Sequence, residues 1–368
     1  MSSKAQVQVT FHWIYVVLAG AVILLFFAGI VIRQKSVAEQ ELTADVTRIL
    51  ETILAGAGVS EKTKNVIDTS GLADLTLYFS CTEGVGEFGI VGGSSRAQNA
   101  RDPLFAPEKI KSPQLITWSL PYAFPFKIID FLYVTAPTIK YAVFSLSDSF
   151  DELEEEFKDV GNIVHLQTPE AYTNLAPEQY FHVRIVTDGS LDLISQPVPL
   201  KLRSLDDGRV SLVEIFYGSG ESGGRARYYQ KKGNSWELEP RGEVEFLSLG
   251  GEKDPAAFAA IFAGTPEQYR CNMQKALTRL ELLTRLYQKK EEQLEGYYFG
   301  KGQSTGSCMN FLVNNPSNNI KDTLETLMEN IPVCRLLGNA DSCEGLRTAA
   351  GELRTLNELL GLDCIPLY

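Results

Sequence analysis

The sequence predicts an α+β protein: an N-terminal transmembrane helix continuing into an amphipathic helix, a mixed α/β sheet domain, and a C-terminal disulfide-stapled helical bundle. Three observations carry that reading. An uninterrupted apolar run occupies 11–32, short β-rich segments broken by Gly, Pro and Ser fill 59–251, and helix-favouring residues with five of the six cysteines fill 252–368. At 368 residues, 44% hydrophobic and 22% charged, the chain has the composition of folded globular material and the length for two compact domains beyond the first helix.

Residues 1–10 form a short flank. The run FHWIYVVLAGAVILLFFAGIVI, Phe11 to Ile32, contains no Asp, Glu, Lys or Arg and has the length that crosses a bilayer core at about 1.5 Å per residue. Trp13 and Tyr15 suit the headgroup region at one end, and Arg33 and Lys35 close the other. The run is longer than the apolar part of a secretory signal and does not end in small residues, so a retained anchor is expected over a cleaved one. Lys4 and the terminal amine lie on one side and Arg33 and Lys35 on the other, so charge counting barely orients it. The cysteine cluster, which suits an oxidising compartment, and Glu39, Glu41 and Asp45 place the body outside. The expected location is the cell membrane, single-pass, with the lipid bilayer as one partner.

The helical pattern continues over 33–58. Val46, Ile49, Leu50, Ile53 and Leu54 recur at helical spacing and give one apolar stripe, with Thr47, Arg48, Glu51 and Thr52 interleaved to face water or a neighbour. Ala55-Gly56-Ala57-Gly58 ends it. The stripe is expected to dock on the folded body.

Before the apolar run stands Lys4-Ala5-Gln6, a basic residue, a small residue and a glutamine. With the apolar helix behind it, this resembles the processing point of archaeal type IV prepilins, a likeness that covers about the first 55 residues. The resemblance implies cleavage between Ala5 and Gln6, with the hydrophobic stretch retained. That family carries a serine and then a glutamate where this chain has Gln8 and Thr10. In the family the glutamate balances a neighbour's terminal amine inside the filament. Its absence here implies a minor, tip-type pseudopilin or a simple membrane-anchored protein, not a major pilin.

Between Ser60 and Gly251 lie apolar strand-like runs such as LADLTLYFSC, IKYAVFSL, YFHVRIV and VSLVEIFY. From Ile139 to Val186 strands alternate with helical pieces, which reads as an α/β unit, with Ser147-Asp148-Ser149 supplying caps for the helix that follows. The acids Asp151, Glu152, Glu154, Glu155 and Glu156 lack the calcium-loop spacing and read as a solvated helix face. The glycine-rich segment 218–224 falls between two strand-like runs and lacks a following Lys-Ser/Thr, so it reads as a hairpin tip, with Lys232-Gly233-Asn234 making the next turn. The dense aromatics from Trp118 to Phe126 are expected in the core, with a sticky partner surface as the alternative.

In the last third, Pro266 to Leu294 reads as a long amphipathic helix, with two more near 320–331 and 342–360, together a small bundle. In an up-down-up order Cys308 meets Cys364 at one end. Cys271 approaches Cys334 and Cys343 at the other, and Cys81 takes whichever partner remains, tying the sheet to the bundle. Buried free thiols are the alternative.

The net charge of −12 and the lack of a long basic run argue against a nucleic-acid partner. There is no CxxC pair and only three histidines, His12, His165 and His182, so zinc and thioredoxin-like chemistry lack their spacing, and no cofactor is expected. No HExxH, GxSxG or Walker loop is present, and His165 and His182 sit in apolar strands as structural residues. The expected function is that of a non-catalytic surface component with protein partners. The alternative is a membrane-tethered enzyme or a ligand-binding module using the α/β unit.

Overall fold

The computed structural model describes residues 16–28, 44–45, 47–52, 54, 56, 63–93, 95–145, 150–217, 223–249, 254–316, 318–338 and 340–368. Within them the protein is α+β with three sheets, helices and disulfides.

Strands β1 (Lys64–Asp68), β5 (Leu104–Phe105), β7 (Gln114–Ala123) and β8 (Lys127–Thr135) form a sheet in the order β1-β7-β8-β5. Strands β2 (Leu77–Thr82), β3 (Val85–Ile90), β4 (Arg96–Asn99) and β6 (Lys109–Ile110) form an antiparallel sheet in the order β4-β3-β2-β6. The third sheet joins β9 (Ile139–Phe144), β10 (Ile163–Leu166), β11 (His182–Thr187), β12 (Val210–Tyr217), β13 (Gly224–Lys232) and β14 (Ser235–Phe246), in the order β10-β9-β11-β12-β13-β14.

The alternation from Ile139 onward is a parallel unit. β10, β9, β11 and β12 run parallel, and the connections carry α1 (Asp151–Glu156) and α2 (Pro169–Asn174). Both faces of this part are covered, so β9 is buried at every position. β12, β13 and β14 then extend the sheet as antiparallel hairpins. The β13–β14 turn falls at Gly233, whose φ of +61° a side chain would strain. The expected cap 147–149 and the tip 218–222 lie outside the described residues.

Helix α3 (Pro255–Phe262, PAAFAAIF) is apolar all round, and from Ala256 to Phe262 every residue is buried, as befits a helix enclosed by sheets. Tyr133 and Tyr228 bond its carbonyls at Pro255 and Ala260, both at 2.8 Å. Trp118, Phe157, Tyr133 and Tyr141 pack around its Phe258 and Phe262, with ring centroids 5.1 to 6.4 Å apart. The stretch from Trp118 to Phe126 is therefore core, not a partner surface, apart from half-buried Pro121 and exposed Ala123.

Helix α4 (Pro266–Gly300) runs 35 residues, about 52 Å, and crosses from the sheets into the bundle. Asn272 seams it to β5: its amide donates to Leu104 O at 2.7 Å and its carbonyl accepts from Leu104 N at 3.2 Å. Helices α5 (Ile320–Leu337) and α6 (Ala340–Asp363) complete the bundle as a hairpin turning at Gly338, φ +60°. One hydrophobic cluster runs from Leu50 through both four-stranded sheets, one face of the third sheet and all three bundle helices to Leu367. Residues on both sides of Gly251 contribute to this cluster, with α4 packing against the sheets as well as against the bundle helices.

At the N-terminus, residues 16–28 are helical, with Val16, Val17, Leu18, Val22, Ile23, Leu24, Leu25, Phe26 and Phe27 each at least 52% exposed. Among the described residues no helix is long and apolar enough to cross a membrane. The remainder of the expected span, 11–15 and 29–32, lies outside them. Farther on, helical residues 47, 50 and 54 are buried and Leu50 and Leu54 join the main core, whereas Ile49 is 57% exposed. The docked face is therefore rotated from the expected stripe. At about 100° per residue, 47, 50 and 54 fall within about 60° of arc, and Ile49 lies about 130° from its centre. Thr47 is covered, not solvent-facing; Val46 and Ile53 lie outside the described residues.

Candidate functional site

The order β10-β9-β11-β12 reverses direction between β9 and β11: the chain passes from β9 outward to β10 and then returns to the other side. In open α/β sheets the crevice beyond the carboxyl ends of the strands at such a reversal is the usual ligand position. Here β9 ends at Phe144 and β11 at Thr187, and the hydroxyl of Ser145, just after β9, donates to Oδ2 of Asp188, just after β11. Ser190 closes the other side of that carboxylate, its hydroxyl donating to Oδ1 and its amide reaching the same atom at 2.9 Å.

His165, on β10, stands beside this pair. Its Nε2 is 3.0 Å from the carbonyl oxygen of Ser145, and its Nδ1 is 3.2 Å from Asp151 Oδ1 and 3.9 Å from Glu154 Oε2 on α1. The ring is nearly enclosed, at 8% exposure. On β12, Glu214 accepts from Tyr229 Oη at 3.3 Å, and burial pushes its carboxyl above the usual range. The result is an edge of hydroxyl and carboxylate acceptors.

A nucleophile–base pair would need an imidazole nitrogen on the serine hydroxyl. His165 instead meets the Ser145 backbone carbonyl, while the hydroxyl is taken by Asp188. His182 does reach a hydroxyl, Ser211 Oγ at 3.1 Å. Burial, with the Arg184 and Arg209 guanidinium groups nearby, pushes its pKa down to about 3, too low to hold a transferred proton at neutral pH. Among the described residues no group of three or more His, Cys, Asp or Glu could hold a metal ion.

The cysteines pair as Cys81–Cys271, Cys308–Cys364 and Cys334–Cys343. The expected approach of Cys271 to Cys334 and Cys343 is replaced by a local pairing. Those two flank the Gly338 turn with Cα atoms 4.5 Å apart, and Cys271 faces β2, where Cys81 lies with its Cα 5.7 Å away. The first bridge ties a sheet to the bundle. Lys4, Ala5 and Gln6 lie outside the described residues.

Two features escaped sequence reasoning. Arg184, on β11, is 1% exposed, and its Nε and Nη2 have no hydrogen-bond partner among the described residues; its guanidinium sits 5.5 Å from the Tyr228 ring. Its place inside a Val-Ile-Val strand was the available signal. The second is a cationic cavity between α4 and α5, whose members are scattered from 83 to 336.

No family model, curated protein or solved structure matches the chain.

Proposed function

We propose that the protein is a membrane-tethered body, held on the outer face of a cell membrane, that works by binding other proteins and not by catalysis. The observation that carries this is the junction at its N-terminus. An apolar helix leaves nine large side chains uncovered at 16–28, and the helical segment after it is seated in the core through Leu50 and Leu54. An apolar helix with no protein covering it is what a bilayer covers. Three disulfides support an oxidising compartment for the body. An apolar helix leading into a seated amphipathic one is also what the prepilin resemblance implies, which favours a minor pilin-like component over an unrelated anchor.

Alkaline carbonate washing of native membranes tests the tether. The full chain should remain in the pellet, and a chain lacking residues 1–35 should be released; release of the full chain overturns the reading. Intact mass beginning at Gln6 would support the pilin-like form, and a chain beginning at Met1 would remove it.

A second reading, ligand binding by the α/β unit, is favoured by Ser145 and Asp188 meeting at the strand reversal. Loss of a bound ligand on Asp188→Asn, with unchanged folding, would establish it.

A further inference from the structure

A cavity of about 830 Å³ lies between α4, the β2–β3 turn and the end of α5. We propose that it is a binding site for a phosphate group, either free or carried on a lipid.

Four cations reach it, Arg101, Lys275, Arg279 and Arg335, against one lining carboxylate, Glu83. That sign is opposite to the chain's net charge of −12. Lys275 is the buried member, at 6% exposure. Its ammonium donates to the carbonyl oxygens of Asn99 at 2.8 Å and Asp102 at 3.3 Å, and no carboxylate among the described residues forms an ion pair with it. An ammonium has three donors, so one remains. Gly86 makes room for it: a Cβ there would come within 2.9 Å of Nζ.

A buried cation without a paired anion is costly, and burial lowers the Lys275 pKa to about 8, with the Asp102 charge opposing the fall. An anion delivered to the cavity would relieve that cost. Arg335 is already oriented, bonded to Glu281 at 2.8 Å and to Thr278 at 3.3 Å, whereas Arg101 and Arg279 form no ion pair with any described residue. Two guanidinium groups with no ion pair among the described residues and a buried ammonium suit the several oxygens of one phosphate. Leu282 and Leu336, 60% and 81% exposed, flank the mouth and offer an apolar seat for whatever carries it.

The test uses the full chain in a nonionic detergent and titration calorimetry with inorganic phosphate at pH 7. The intact chain should bind one phosphate saturably. Arg101→Gln/Arg279→Gln, both at exposed positions, should weaken binding at least tenfold without moving the thermal midpoint. Dibutyryl phosphatidic acid distinguishes the sources: tighter binding than phosphate assigns a lipid phosphate, and equal or weaker binding assigns the free anion. Absence of saturable binding, or equal affinity in the double variant, overturns the proposal. So does a deca-glutamate peptide binding tenfold more tightly than phosphate, which would make the cavity a peptide groove.

Discussion

Replacing Leu50 and, separately, Ile49 by alanine tests how the first helix meets the body, because the sequence pattern covers both and the structure covers only Leu50. Leu50 is 1% exposed and sits in the main core, so truncation removes buried methyl groups and leaves a cavity, at a cost of about 3 kcal/mol. Ile49 is 57% exposed; its truncation should change stability by about 0.5 kcal/mol or less, offset in part by alanine's better helix propensity. Urea unfolding of the full chain in detergent, followed by the fluorescence of buried Trp118, measures both. A small, equal effect would mean that the helix is a bare stalk. A larger loss at Ile49 would restore the face inferred from the pattern.

Glu291, on α4, is 2% exposed and has an unpartnered Oε1; burial and then the neighbouring Glu295 push its pKa up to about 7, with Lys321 opposing. A raised folded-state pKa contributes stability below the unfolded value of 4.5 that is lost as pH rises toward 7, so Glu291→Gln should gain about 3 kcal/mol at pH 8 and nothing at pH 4; a gain independent of pH would refute this. Removing the Cys81–Cys271 bridge, which spans 190 residues, should cost about 5 kcal/mol, against about 3 for Cys334–Cys343, which spans 9. Equal denaturant midpoints for the two double-alanine variants would count against the chain-entropy account. Arg184→Met replaces a buried guanidinium, two of whose nitrogens have no hydrogen-bond partner among the described residues, with an apolar chain of similar length and should raise the melting temperature; a loss above about 2 kcal/mol would refute this.

Local signals were legible and distant ones were not. The helix–strand alternation from Ile139 to Val186, the turn at Gly233 and the long helix from Pro266 are written in spacing and turn residues, and each appears in place. The central position of α3 is not so written. PAAFAAIF reads as one more helical piece until the sheets that enclose it are in place. The Asn272 seam to β5 joins residues 168 apart, and Cys81 finds Cys271 at a separation of 190; neither distance leaves a trace in local pattern. The docked face was legible in part: Leu50 and Leu54 of the stripe lie in the core, and Ile49 does not. Apolar residues at 46, 49, 50, 53 and 54 mark a broad stripe, and only the body's shape decides which edge of it is covered, here the one that also takes in Thr47.

The same limit applies to the site. Ser145 and Asp188 follow the ends of β9 and β11, His165 lies on β10, and these strands are neighbours only because the sheet order doubles back. The cationic cavity draws on β-turn, loop and two helices in the same way. Arg279 lines that cavity and also a second one of about 600 Å³, beside Glu51 and Leu54 of the seated N-terminal helix. One residue therefore lines both the proposed phosphate site and the cavity beside the seated helix.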